Sequence, residues 1–283
     1  MLWLFEKDTF DEGNPQKMKD IAESMGHKTL WVDYVPLGGG MVTKGVAKHT
    51  GPTVVYGSLN LAKHITDERK FFPGVWCDQS RLTCQSYYSA IGRYCLVHNY
   101  IMFPLDDALR LKDFLFSSLR DMGFTQGYRK IFIRPDSNDK IFHGGVVSEN
   151  NFDEWHKLAN FYVEDDRNVL AVASRVSDIR EEWRTVVHSG KVVSASKYSE
   201  NKQSVKVEEM NTEVNEYVEH VISETGFQPH PVMCFDVCRL ETGVLRMLEI
   251  GSVNASGLYA CKLEPIVEAM SEQAILEHKG RSK

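Results

Sequence analysis

The segment Cys234–Tyr259, CFDVCRLETGVLRMLEIGSVNASGLY, constrains the fold more than any other. It reads as two strands joined near Thr242-Gly243. Phe235, Val237, Leu248 and Ile250 form one apolar face, while Cys234, Cys238, Leu245 and Met247 join two acids on the other. Strands that are apolar on both sides belong inside a sheet covered on both faces. With a two-residue loop, Glu241 faces Val244 and Asp236 falls opposite Glu249, their Cβ atoms roughly 5 Å apart on a shared face. Such a pair needs a shared proton, a basic side chain, or a divalent cation with oxygen ligands. A three-residue Glu241-Thr242-Gly243 loop with Gly243 in a bulge position also fits. Its odd parity would send the two acids to opposite faces. Asn254, Ser256 and Gly257 follow within a few residues, so the segment suggests a metal–nucleotide site. The competing reading is two acids in ordinary salt bridges.

The remaining composition narrows the class. A formal net charge of −6 over 283 residues provides no global basic field, which argues against general nucleic-acid binding. No segment approaches the roughly 20 apolar residues that span a bilayer, and the acids in MLWLFEKDTFDEG exclude a secretory signal. Six cysteines without paired CxxC spacing read as buried thiols in a reducing compartment, with the cytoplasm as the expected location. Cys234 and Cys238 cannot chelate one zinc from a single strand, since four residues span about 13 Å.

Residues 1–95 alternate strand and helix patterns: Leu2–Phe5, Thr29–Val35 and Pro52–Tyr56 as strands, Asn14–Met25 and a start at Ser58–His64 as helices. Alternation of this kind indicates a parallel α/β sheet. Gly38-Gly39-Gly40 is a flexible connection, because neither a phosphate-loop pattern nor GxGxxG fits. Pro104–Met122 reads as a helix stopped by Gly123. Strands are expected at Lys130–Arg134, Lys140–Val147 and Val169–Val176, and helices at Phe152–Tyr162, Asn211–Thr225 and Glu264–Glu277. A second hairpin, Glu182–Tyr198, turns at Ser189-Gly190. There His188 faces Lys191 and Glu182 lies opposite Lys197, with Glu182, Arg184 and Lys197 on one face. Arg81 and Arg93 read either as ordinary surface arginines or as a grip on an anionic substrate.

Four groups therefore carry chemistry in order: Arg134 with Lys140 around a turn; Glu182, Arg184 and Lys197 on a mobile hairpin; Asp236; and Glu249 with Asn254 on a rigid one. Acids that hold a metal and cations that neutralise phosphates suit ATP–magnesium chemistry. With FIRP at 132–135, EEWR at 181–184, FDV at 235–237 and LEIGSVNASGLY at 248–259, the chain resembles the ATP-grasp superfamily over about residues 100–275. It looks most like small single-chain members often encoded by bacteriophages. The resemblance implies an α/β (α+β) fold: an N-terminal parallel α/β domain (1–100), a small β-rich lid (101–200) and a C-terminal lobe with the metal-binding hairpin (201–283). It implies ATP held between lid and lobe, with Arg134 as the phosphate-binding cation assisted by Lys140. Backbone around Ala173–Val176, with Ser174 and Val176, would meet adenine. Glu182, Arg184 and Lys197 would face the nucleotide or acyl phosphate, and Asp236, Glu249 and Asn254 would hold Mg2+. The implied activity is an ATP-dependent carboxylate–amine ligase forming C–N bonds through an acyl phosphate, acting on small-molecule or peptide substrates. A homodimer is among the assemblies expected, and the host cytoplasm is the location if the chain is phage-encoded. Gly251 stands where the family commonly has a side-chain ligand, which keeps two alternatives open: a kinase of a small hydroxylated substrate, and a non-catalytic nucleotide-binding protein.

Overall fold

Leu2–Glu6 (β1) is buried at every position, as a strand covered on both faces must be. In the computed structural model, which describes residues 1–7, 9, 13–35, 40–42, 49–119, 129–139, 141–161, 163 and 168–281, it is followed by α1 (Asn14–Ser24), β2 (Lys28–Val35), β3 (Gly40–Val42) and β4 (Thr53–Tyr56). Next come α2 (Leu59–Glu68), β5 (Pro73–Gly74), α3 (Cys84–Ile91), β6 (Tyr100–Pro104) and α4 (Ala108–Ser118). The chain continues through β7 (Lys130–Pro135), β8 (Gly145–Ser148), α5 (Phe152–Phe161), β9 (Leu170–Ser174), β10 (Ile179–His188) and β11 (Lys191–Glu200). It ends with β12 (Gln203–Glu208), α6 (Thr212–Thr225), β13 (Val232–Leu240), β14 (Leu245–Ser252) and α7 (Leu263–Arg281). The chain divides into two units, Met1–Asp78 with Ile179–Lys283, and Gln79–Asp178.

The first unit holds two sheets. One, in the order β3-β2-β1-β4-β5, is parallel except at the β2–β3 edge, as strand–helix alternation predicts. Gly40 belongs to β3; Gly38 and Gly39 lie outside the described residues. The other sheet, β12-β11-β10-β13-β14, is antiparallel. Trp3, Phe5, Val54 and Tyr56 of the parallel sheet share one core with Val186, Val232 and Cys234 of the antiparallel sheet. Ile266, Met270 and Ala274, one stripe of α7 at four-residue spacing, complete that core. Asn211 caps α6 by accepting from Val214 N, and Gly226, at φ +66°, ends it in the left-handed conformation that glycine adopts without strain.

The second unit is an antiparallel sheet in the order β6-β9-β7-β8. Ile131, Ile133, Ala171 and Ala173 point from one face into a core with Leu115 and Phe116 of α4 and Phe152 of α5. Two side chains begin α3: Thr83 accepts from Ser86 N at 3.2 Å, and Asp136 accepts from Gln85 N at 2.7 Å.

Several expectations change. The lid was expected to run from 101 to 200, but Ile179–Glu200 belongs to the first unit, because β10 bonds along its whole length to β13. The expected 104–122 helix is shorter, Ala108–Ser118, preceded by a tight turn at Leu105–Asp107. The return strand expected from Lys140 begins at Gly145. All six cysteines are buried and unpaired with one another, as their spacing suggested. Among the described residues, no helix is long and apolar enough to cross a membrane.

Candidate active site

Three adjacent strands bring the candidate residues into one row. Arg184 of β10 lies opposite Asp236 of β13, and Asp236 lies opposite Glu249 of β14. Directly opposed residues share a face. The Asp236–Glu249 pairing is the one a two-residue loop predicts, yet the loop has three. Leu240 N donates to Val244 O at 3.0 Å, closing Glu241-Thr242-Gly243, with Gly243 at φ +86°. Val237 then opposes Met247, the register shifts, and Asp236 opposes Glu249. Leu248 is the extra residue of a bulge, and it cancels the odd parity of the loop.

Arg184 is buried and fully engaged. Its Nε and Nη2 donate to the two oxygens of Asp236 at 2.8 and 2.7 Å, and Nη1 donates to Gly257 O at 2.6 Å. The Tyr259 ring lies against it, 5.1 Å from Cζ to the centroid. Tyr259 stacks on Tyr198 at 4.7 Å, and the Tyr198 hydroxyl donates to Glu182 Oε2 at 2.9 Å. Tyr259 sits at φ +50°, a conformation that costs a bulky side chain of order 1–3 kcal/mol and persists only where surroundings enforce it. Neither tyrosine stood out in the sequence. A positive φ at an aromatic residue leaves no local signal.

Burial is the largest influence on Asp236 and pushes its carboxyl above the usual range. The Arg184 guanidinium pulls the other way, while Glu249 and Glu182 add to the rise. Burial also opposes the Arg184 charge, but the Asp236 carboxylate outweighs it and holds that guanidinium firmly protonated. This electron-rich spot, with three carboxylates and one committed cation, would be relieved by a divalent ion.

The two hairpins expected to be separate, one mobile and one rigid, are neighbours in a single sheet. Lys197 also lies elsewhere than expected. Two register shifts along β10–β11 place it opposite Trp183 and place Glu182 opposite Ser199, so Lys197 leaves the Glu182–Arg184 face. His188 does face Lys191. Lys197 bonds Glu181 at 3.1 Å and Glu209 at 3.3 Å, with its ammonium over the Trp183 ring. Arg239 flanks the same ring and bonds Glu181 and Glu213.

Asn254 is fully buried, and both ends of its amide are spent on backbone. Oδ1 accepts from Trp76 N at 2.8 Å, and Nδ2 donates to Val55 O at 2.7 Å. That commitment removes it from the expected metal shell. Gly251 has a packing reason: a Cβ there would approach Ser256 Oγ at 3.3 Å. Among the described residues, no set of three or more His, Cys, Asp and Glu forms a metal cage. Two opposed carboxylates nonetheless fit magnesium, which is held by one or two carboxylates, with waters and substrate phosphates filling the other positions.

In the second unit, Arg134 opposes Val172, two residues from Ser174 on β9. Arg134 and Ser174 therefore share a sheet face. Arg134 is half-buried, and Ser174 is buried with its hydroxyl on Arg175 O. Val176 follows β9, half-buried, and Lys140 lies outside the described residues. Arg81 and Arg93 are exposed, the latter with its guanidinium over the Tyr94 ring.

This architecture is similar over nearly its whole length to solved structures. D-cycloserine synthetase DcsG matches at a TM-score of 0.62 and 12% identity, covering 97% of this chain and all of that one. D-alanyl-alanine synthetase A from Vibrio cholerae matches at 0.59 and 10%, covering 98% of both chains. ATP-grasp ligase PsnB, complexed with minimal precursor, Mg and ADP, matches at 0.55 and 12%, covering 96% of this chain and 98% of that one. At such identities the likeness is one of fold. The chain itself belongs to the ATP-grasp family: residues 111–269, more than half of it, match an ATP-grasp domain, the second family of its clade. None of the curated proteins compared matches it.

Proposed function

We propose that this protein is an ATP-dependent ligase that activates a carboxylate as an acyl phosphate and passes it to an amine. The observation that carries the reading is the Arg184–Asp236–Glu249 row across three strands, two opposed carboxylates beside a buried cation. Family membership supports it, as do the names of the similar structures, two of them synthetases and one a ligase complexed with Mg and ADP. Asp236 and Glu249 would hold magnesium, which when bound neutralises phosphate charge and orients the transferred phosphoryl group. Arg134 is assigned to the phosphates, because its planar fork can grip oxygens from two directions. Ser174 and Val176 are assigned to the adenine end. The protein's part is to position groups and stabilise charge, since phosphoryl transfer asks little covalent chemistry of side chains. The expected acceptors are small-molecule or peptide carboxylates and amines.

The test is a screen of carboxylate–amine pairs followed by ADP release. ADP and phosphate appearing with a new amide supports ligation. A phosphorylated product would make the protein a kinase, and tight ATP binding without turnover would make it a binding protein. On an identified substrate, Asp236→Asn and Glu249→Gln should fold yet lose most turnover. Arg134→Ala should weaken ADP binding more than Lys157→Ala, which alters an exposed charge on α5. Near wild-type turnover in both acid variants would remove the metal assignment.

A further inference from the structure

We propose that Arg184 is a positioning residue for Asp236 and not a cation that grips the nucleotide. The proposal rests on the reading of Asp236 and Glu249 as the metal ligands. A guanidinium has five N–H donors in a fixed fork. Three of its bonds here go to the protein, two to Asp236 and one to Gly257 O, and Tyr259 covers one face of the fork. An arginine that must follow a transferring phosphoryl group keeps its fork free; this one is used up.

The complement of that commitment lies on Asp236. An ionised carboxylate offers about four lone-pair sites, and a bidentate arginine takes one on each oxygen. Each oxygen keeps a second site. Across the sheet the order is Arg184, Asp236, Glu249, so Asp236 stands between the guanidinium and the other carboxylate. Arg184 thereby fixes the carboxylate plane and compensates the negative charge in a buried place, while leaving the carboxylate able to share a cation with Glu249. The bond to Gly257 O adds a second constraint, tying the loop after β14 to the same guanidinium. Partners that orient a metal ligand are worth ~10–100-fold in metal affinity.

The experiment measures two affinities separately: Mn2+ in the presence of ADP, by electron paramagnetic resonance of the free ion, and ADP in chelator, by calorimetry. Arg184→Lys keeps the charge but loses the bidentate fork. It should weaken Mn2+ ~10-fold or more and leave metal-free ADP affinity as in the wild type. An equal fall in metal-free ADP affinity would show a nucleotide-gripping arginine and overturn the proposal, and so would unchanged Mn2+ affinity. Asp236→Asn separates two failures. Intact Mn2+ binding in that variant overturns the metal reading and this proposal with it. Loss there, with none in Arg184→Lys, overturns the positioning role alone. If Arg184→Lys does not fold by near-ultraviolet dichroism, Tyr259→Leu decides, since it removes the ring against the guanidinium without changing charge. Weakening of Mn2+ by about threefold, the scale of one cation–π contact, with ADP unaffected, supports the proposal; no change overturns it.

Discussion

Asn254→Asp is the sharpest single test of what this asparagine does. The substitution is nearly isosteric, so no cavity term enters. The acceptor to Trp76 N survives, but the donor to Val55 O becomes a carboxylate oxygen facing a carbonyl oxygen at the 2.7 Å now spanned by a hydrogen bond. Losing a buried bond and leaving its partner facing a group of like sign costs about 1–3 kcal/mol, and an ionised carboxylate at a fully buried position adds to that. We expect a deficit of about 3 kcal/mol near neutral pH, which for a protein of this size lowers Tm by about 6–12 °C. The pH dependence follows from which form can donate. Only the protonated carboxyl restores the bond to Val55 O, so the folded-state pKa lies above the unfolded value of about 3.9. Stability is then fully present below that unfolded value and is lost as pH rises through the raised folded one. Urea unfolding of wild type and variant should show the gap narrowing in mildly acidic buffer. A deficit under about 1 kcal/mol near neutrality, where a lost buried bond should cost more, would refute the reasoning. So would tighter Mn2+ binding in the variant, which would return Asn254 to the metal shell.

Two further outcomes follow from buried charge elsewhere. Burial pushes the Cys234 thiol up to about 11 and those of Cys238 and Cys261 to about 12, so a thiol-specific disulfide reagent in mildly alkaline buffer should react with them only as the protein unfolds. Fast stoichiometric labelling of any of the three would contradict this. Burial raises Glu181, but Lys197 and Arg180 together hold its carboxyl below the ordinary range. Its contribution is present above the unfolded-state value and is lost as pH falls through the depressed one. Glu181→Gln should therefore lower Tm near neutrality and flatten the acid limb of the stability curve; a curve parallel to the wild type's would exclude this carboxylate.

The elements and the acid pair were legible in the sequence because strand alternation and helix caps are local signals. The Asp236–Glu249 pairing follows from counting outward from a two-residue turn, although the protein reaches the same register through a longer loop and a bulge at Leu248. Counting outward from Ser189-Gly190 succeeds at His188–Lys191 and fails at Glu182, because two intervening shifts leave no mark in residue type. Pairing of β10 with β13 joins residues about fifty apart, which no window-based pattern can see, and so Arg184 was assigned to a separate hairpin. Asn254 misled for the same reason. An asparagine beside two acids reads as a ligand until its partners, Val55 and Trp76, are known.

Those partners lie 199 and 178 residues from Asn254 along the chain. Trp3, Phe5, Val54 and Tyr56 share their core with Ile266 and Met270, which leave the ribosome ~200 residues later. At about 5–20 residues per second, that interval lasts on the order of 10–40 s. During it, the unit formed by Gln79–Asp178 is synthesised in full, while the parallel sheet has one large apolar face and nothing of its own to put on it. The order in which the segments are made thus turns a well-buried sheet into the part of the nascent protein most in need of a chaperone.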